Sequence, residues 1–363
     1  MMFENKMIDY PTLSICIPTY NRAGYLAELL ESIVTQLGGF EDRVEICVSD
    51  NASTDNTDEI IQQFSARCSN LIYHKNIQNF GPDENFLQCV RIASGEYAWI
   101  IGSDDKLCEG ALREIFILLS QATPAADILL FREKTWYYGT VIEPAPSYFK
   151  KEVPSMIFDA NDSDQWVAYC QNMTRISGLL GYLSTTIFNR KKWVTQLQGY
   201  EHFIGTGYVH LYLLMQMIIQ LTPCFLMYVN QAMVLSRTNN DSFLAQSDRL
   251  KRILLDIDGY TLVSQLFPDE KRRTAVIAVL YRQLHHTLYY PFLIYDATNS
   301  RLATIKEVIN VFKMRDVLKQ QYAVLNILFI SYHVPGMQLV MKFILNQVKY
   351  IRCYLRMRKK PRF

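Results

Sequence analysis

Between residues 317 and 363 there is no aspartate or glutamate, while the same stretch carries nine lysines and arginines. The formal net charge of +2 therefore hides an acidic body and a basic tail. A balance so near neutral gives no global sign of nucleic-acid binding. No two of the eight cysteines stand in CxxC spacing, which argues against a zinc site and a disulfide framework and fits a reducing cytosol. Cys16, Cys47 and Cys224 sit in apolar runs, where a thiol behaves as a small hydrophobe. The opening residues, MMFENKMIDYP, lack the basic-then-apolar order of a signal peptide, so a cytoplasmic protein is expected. The long uncharged run at 211–229 is interrupted by two glutamines and by Thr222-Pro223, and reads as a buried helix followed by a buried strand. Glycine and proline are sparse, at 15 and 12 in 363 residues, which excludes collagen-like and low-complexity classes.

What is present is abundant buriable surface. Half of the residues are apolar, and 23 Tyr, 19 Phe and 4 Trp exclude a disordered chain. The length suffices for one large α/β domain with an appended lobe. Short β-branched runs at 13–17, 44–48, 71–74, 97–101 and 127–131 read as strands. Segments of helical spacing follow the first four, at 26–37, 56–64, 83–93 and 109–119. This alternation predicts crossover connections and a mostly parallel sheet. From about residue 236 long helical patterns take over, at 250–267, 272–290, 302–322 and 336–358. The expected division is an α/β domain over 1–235 and a helical region over 236–363, with the polar stretch 236–246 as lid or linker.

Ligands of open α/β sheets bind outside the carboxyl ends of the strands. Those ends carry Thr19-Tyr20-Asn21-Arg22, Asp50-Asn51, Asn79-Phe80-Gly81-Pro82 and Ser103-Asp104-Asp105. Adjacent acids after a strand can hold Mg²⁺ or Mn²⁺ between two phosphates, because oxygen ligands suit these ions. A lone Asp-Asp pair is also what a surface turn or helix cap supplies. Asp50 and Asn51 offer one acceptor and one amide to a nucleobase or ribose edge, or else begin an Asx turn ahead of the next helix. Gly81-Pro82 before a helix allows close backbone approach to an anion.

Together these segments resemble the family 2 glycosyltransferases of GT-A fold. The resemblance covers roughly residues 12–235. It is carried by SICIPTYNRAGYL (14–26), VSDNASTDNT (48–57), NFGPDENF (79–86) and GEYAWIIGSDD (95–105). The last two are worded most like the bacterial O-antigen enzymes of the abequosyltransferase kind. The resemblance implies a sugar moved from a nucleotide donor, a pyrimidine nucleotide being favoured, to a lipid-linked oligosaccharide. Pro18, Thr19, Tyr20 and Arg22 would wrap the nucleotide, and Asp50 would bond the pyrimidine beside Asn51, with Gly81 and Asn85 on the same edge. Asp105 would bind the metal, and Asp104 the ribose or the metal. Ser103 replaces an acid of the family's triplet, which leaves one fewer carboxylate.

The acceptor half departs further. Where the family supplies a Glu-Asp pair ahead of an amphipathic helix, this chain reads Gly207-Tyr208-Val209-His210. His210, Glu201, His202 and Asp241 are the nearby candidates for the missing base, His210 being favoured because imidazole titrates near neutrality. Arg237 is a candidate diphosphate clamp, beside Asn239, Asn240 and Ser242. Proton transfer to the leaving phosphate would need no protein base and would accompany retention of configuration.

In the tail, a spacing of 100° per residue gathers Lys342, Lys349, Arg352 and Arg356 within about 80° of arc. Such a face suits an anionic membrane surface, and equally an ordinary solvated helix face. No nucleic-acid-binding module accompanies it. Two other functions compete: a sugar nucleotidyltransferase, against which the absence of a Gly-rich loop after the first strand argues, and a non-catalytic nucleotide-binding scaffold.

Overall fold

A computed structural model describes residues 11–137, 140–142, 147–237 and 249–288. The chain opens as β1 (Leu13–Thr19), α1 (Ala23–Val34), β2 (Val44–Asp50), α2 (Thr57–Ser65), β3 (Leu71–Lys75), α3 (Pro82–Arg91) and β4 (Tyr97–Ile100). It continues through β5 (Lys106–Leu107), α4 (Ala111–Gln121), β6 (Ile128–Tyr137), β7 (Thr140–Ile142), β8 (Met156–Asp159) and α5 (Ser163–Gln171). After these come β9 (Thr186–Asn189), α6 (Arg190–Val194), α7 (Val209–Gln220), β10 (Phe225–Arg237), α8 (Arg249–Ser264) and α9 (Glu270–Leu288).

One sheet runs in the order β3-β2-β1-β4-β9-β6-β10-β5, with β7 beside β6 and β8 beside β10. The half from β3 to β4 is parallel throughout, and β6 pairs parallel with β10. All seven residues of β1 and all seven of β2 are buried, as expected of apolar strands covered on both faces. Pro18 does not end β1: it pairs opposite Ser49, beyond Cys16–Ile100 where pairing with β4 stops. No β4 carbonyl therefore waits for its missing N–H. The strand expected at 127–131 is there, but antiparallel β9 lies between it and β4.

The helices cover this sheet with apolar stripes. Leu26, Leu29, Leu30 and Ile33 of α1 are fully buried with Ile15, Ile17 and Val48, each side chain contributing about 1.5–3 kcal/mol. Trp99 meets Phe131 edge to face at 5.3 Å, joining β4 to β6 across β9. The uncharged run at 211–229 is α7 followed by the start of β10, as its pattern predicted. Among the described residues, no helix is long and apolar enough to cross a membrane.

By compactness the chain divides into one unit of Met1–Ser247 with Leu255–Leu280 and a second of Asp248–Leu254 with Tyr281–Phe363. Within the first, Tyr260 of α8 donates to the Ile176 carbonyl at 2.9 Å, and Phe267 packs 5.6 Å from Trp166. The helical patterns at 302–322 and 336–358, and with them the basic face, lie outside the described residues.

Candidate active site

The carboxyl end of β4 leads into a tight turn in which the Asp105 N–H donates to the Gly102 carbonyl at 2.9 Å. This turn delivers two neighbouring carboxylates into different surroundings. Asp105 is 3% exposed, and its Oδ2 accepts hydroxyl bonds from Tyr182 and Ser184, both at 2.6 Å. Its Oδ1 takes a longer bond, 3.3 Å, from the Arg237 backbone N–H at the end of β10. Burial, and then the charge of Asp104, push its pKa up to about 7, against which the two hydroxyls and the Arg237 N–H pull down. The Tyr182 phenol is itself held well above its usual range by burial and by Asp105, so it stays a donor. Ser184 Oγ also accepts from the Gly102 N–H at 2.9 Å. A Cβ on Gly102 would lie 2.9 Å from Asp104 Oδ1 and 3.3 Å from Asp105 Oδ2, so a side chain there would crowd both acids.

Two arginines flank the pair. Arg22, at the start of α1, places Nη1 3.0 Å from Asp104 Oδ1. Arg237 donates from Nε to the Asp104 carbonyl at 2.9 Å and from Nη2 to Glu28 at 2.9 Å. Its guanidinium lies over the rings of Trp136, at 4.1 Å, and Tyr25, at 4.5 Å. Lys106 shares Trp136 at 4.5 Å and Glu28 at 3.8 Å. Arg237, expected to clamp a diphosphate, is thus engaged in holding the acidic turn, while its charge stays within that turn.

The other expected residues cluster at the ends of β1 and β2. Asp50 is fully buried, accepting from the Ser53 N–H at 2.8 Å and the Tyr73 hydroxyl at 2.8 Å, with Lys75 at 3.8 Å. Asn51 donates to Asn79 Oδ1 at 2.8 Å and the Gly81 carbonyl at 3.1 Å, and accepts from Asn76 and the Phe80 N–H. Asn85 braces the strands, donating to the Thr19 and Ser49 carbonyls at 3.3 and 3.0 Å. These three side chains organise the edge from beneath. Tyr20 is 43% exposed beside them and Phe80 45%, whereas the Thr19 hydroxyl and Ser103 are buried. Pro18 stays within β1.

On the far side of α3, Asp83 accepts from the backbone N–H groups of Gly205, Gly207 and Val209, at 2.8, 2.9 and 3.3 Å. Burial raises its pKa, and those three bonds oppose the rise. His210, in the first turn of α7, is 3% exposed, with its ring 6.0 Å from Phe86 and 6.1 Å from Tyr208. The ring lies inside the packing of α3 against α7. Glu201 and His202 are exposed on a short turn, and Asp241 lies outside the described residues.

A cation is tested by the donor set. Among the described residues no three His, Cys, Asp or Glu side chains gather to hold a metal. Two carboxylates at a strand end still fit Mg²⁺ or Mn²⁺, which take one or two protein carboxylates and complete their shell with phosphate oxygens and water. The raised pKa of Asp105 marks negative charge that a cation would compensate. Sequence reasoning missed Tyr182, Ser184, Glu28, Trp136 and Asp83. Tyr182 and Ser184 lie at a short 3-10 turn about 80 residues from Asp105, with no motif to join them.

The profile of the family described as Glycosyl transferase family 2 matches residues 14–153. The chain is 36% identical to the abequosyltransferase RfbV of Salmonella typhimurium strain LT2, over 70% of this chain and 75% of that protein. Among solved structures, S. aureus TarS residues 1–349 in complex with UDP-GlcNAc superposes with a TM-score of 0.57 at 16% identity, covering 86% of this chain and 83% of that one. A Pyrobaculum calidifontis mannosyltransferase in complex with GDP-Man and Mn²⁺ gives 0.50 at 12% identity, covering 93% and 87%. These two likenesses bear on the fold. With its parallel strands, its acidic turn after β4 and this degree of identity, the chain belongs to the family 2 glycosyltransferases, a GT-A-fold enzyme similar to abequosyltransferases.

Proposed function

We propose that this enzyme transfers a sugar, a deoxysugar such as abequose, from a pyrimidine nucleotide donor to a lipid-linked oligosaccharide during O-antigen assembly. The observation that carries the reading is the Asp104–Asp105 pair, fixed at the carboxyl edge of the sheet by Tyr182, Ser184 and Arg237. The name of the Salmonella relative supports the sugar, and the UDP-GlcNAc bound to TarS supports a pyrimidine nucleotide.

In the reaction the bond between the anomeric carbon and the phosphate oxygen breaks, and its electron pair leaves with the diphosphate. The acceptor hydroxyl oxygen forms the new bond and gives up its proton. Mg²⁺ or Mn²⁺, held by Asp105 with Asp104, would supply positive charge against the departing diphosphate. The Mn²⁺ of the Pyrobaculum structure supports that cofactor. Tyr182 and Ser184 orient Asp105 and favour its charged form against the burial that raises it, and Arg237 fixes the turn without reaching for substrate. Arg22 pairs with Asp104, and turning from that carboxylate to the diphosphate is its proposed part. Asp50, Asn51, Gly81 and Asn85 shape the nucleotide edge, with Thr19 and Ser103 in its floor, and Tyr20 offers an exposed ring to a base. A base must reach the proton it removes. His210 is buried between two rings, so we assign the proton to the leaving phosphate.

We assign residues 1–235 to the catalytic domain and 236–363 to a helical region whose basic tail rests on the cytoplasmic face of the membrane. The support is the charge pattern of the sequence. Thermal shift with CDP, UDP, dTDP and GDP in the presence of Mn²⁺ tests the donor. Stabilisation by CDP, UDP or dTDP above GDP is expected, and no response to any nucleotide would refute the reading.

A further inference from the structure

The two hydroxyls on Asp105 Oδ2 come from one short piece of chain. Ser184 is the middle residue of the 3-10 turn Leu183–Thr185, and Tyr182 is the residue before it. The turn closes on itself, the Tyr182 carbonyl accepting from the Thr185 N–H at 3.0 Å and from the Thr185 hydroxyl at 2.7 Å. On the β4 side the Trp99 indole donates to the Ser184 carbonyl at 2.8 Å, and the Gly102 N–H to the Ser184 hydroxyl at 2.9 Å. Three residues with such tight internal bonds do not hold a shape by themselves, so a second anchor matters.

Tyr148 supplies it. Its hydroxyl is hydrogen-bonded to the Thr185 side chain and donates to the Glu133 carboxylate, with the Phe131 carbonyl 3.2 Å away. Tyr148 and Thr185 are fully buried, and Glu133 is buried with them. Burial and the charge of Glu133 hold the Tyr148 phenol well above its usual range, so it keeps its proton and remains a donor. A backbone carbonyl would satisfy a buried phenol at less cost than a buried carboxylate, which must be stripped of water. The main chain is fastened here too, the Tyr148 carbonyl accepting from the Thr174 N–H at 2.7 Å and the Asn172 carbonyl from the Lys150 N–H at 2.9 Å. Glu133 stands on β6 opposite Val234 of β10, three residues before Arg237, whose N–H reaches Asp105 Oδ1. Both oxygens of Asp105 are thus tied to the β6–β10 pair: Oδ1 through the end of β10, and Oδ2 through the turn, Tyr148 and Glu133.

We propose that Tyr148, anchored on Glu133, is a positioning residue for the cation site: it sets the turn that carries Tyr182 and Ser184, and through them the direction of Asp105 Oδ2. This rests on the reading above in which Asp105 holds Mg²⁺ or Mn²⁺. Hydrogen bonds one step out from a metal ligand fix its orientation, and their loss ordinarily costs about 10–100-fold in metal affinity. Tyr148 has no contact with either acid, so its effect must pass through Thr185.

Full-length wild type is compared with Tyr148→Phe, Thr185→Val and the double variant by calorimetric titration with Mn²⁺, by thermal melting without metal, and by exchange of the Gly102 and Thr185 amides. The expected result is a folded Tyr148→Phe protein with Mn²⁺ affinity about tenfold lower and faster exchange at both amides. Because the two hydroxyls act in series, the double variant should lose about as much as the larger single loss; losses that multiply would overturn the proposal. A Tyr148→Phe protein that melts lower yet binds Mn²⁺ as the wild type does would also overturn it, since that is all a purely structural hydroxyl would do. If Tyr148→Phe does not fold, Glu133→Leu removes the anchor with Tyr148 intact and must lower Mn²⁺ affinity, while Glu133→Gln, which still accepts from the phenol, must restore it; Leu and Gln variants that bind alike would refute the proposal. Asp105→Asn protein that binds Mn²⁺ as tightly as wild type would instead overturn the cation reading itself.

Discussion

Adjacent in sequence, Asp104 and Asp105 differ in what surrounds them. Burial beside a second carboxylate pushes the pKa of Asp105 up to about 7, well above the usual value of about 4. The sign follows. A carboxyl whose folded pKa is raised stabilises the fold below about pH 4, and that contribution is lost as pH rises through about 7. Metal-free protein should therefore lose stability over that window, and Mn²⁺, which must displace the proton, should bind more tightly at pH 8 than at pH 6. Calorimetric titration at the two pH values checks this; equal affinities would remove Asp105 from the cation site. Tyr182→Phe deletes one hydroxyl bond to a charged group, worth about 1.5 kcal/mol or more, and should weaken Mn²⁺ binding roughly tenfold and move the midpoint to higher pH. Asp50→Ala, which strips Ser53, Tyr73 and Lys75 of their shared partner, should cost about 1–3 kcal/mol of nucleotide affinity with Mn²⁺ affinity kept. An unchanged nucleotide dissociation constant would separate Asp50 from the base pocket.

At the scale of elements, the acidic turn after β4 includes Gly102, which leaves its two neighbouring carboxylates space. Gly102→Ala puts a methyl carbon 2.9 Å from Asp104 Oδ1 and should yield a folded protein with impaired Mn²⁺ binding, read by thermal melting and titration. Binding as in the wild type would show that the turn adapts. The first four strands and their helices were legible because each strand has a short run of β-branched and other apolar residues and each helix keeps its 3.6-residue stripe. Strand β9 was not, since TIFN is four residues with no period of its own and is fixed by pairing with β4 and β6. The acids and arginines of the site could be picked out because they follow strands directly. Their partners could not. Tyr182 and Ser184 reach Asp105 through tertiary folding, Glu28 meets Arg237 from another element, and Asp83 looks in sequence like any first-turn acid. His210, chosen for its chemistry, lies in the packing of α3 against α7, with the rings of Phe86 and Tyr208 beside it.

Over the whole molecule, charge is uneven along the sequence, with the candidate nucleotide motifs in the first third of the chain and the basic stretch at 317–363 far from them in sequence. Truncation after Gly336 should release the protein from phosphatidylglycerol vesicles at low salt while nucleotide binding persists, each cation contributing on the order of 1 kcal/mol. Vesicle sedimentation checks this, and indifference of the full chain to such vesicles would leave the basic face merely solvated. In the proposed reaction the Asp104–Asp105 turn is where cation and diphosphate meet. Its most direct test is calorimetry of CDP and UDP with Mn²⁺ on wild type and on Asp105→Asn. Nucleotide binding should depend on Mn²⁺ in the wild type and fall at least tenfold in the variant. Binding in Asp105→Asn equal to wild type, undiminished by EDTA, would contradict it.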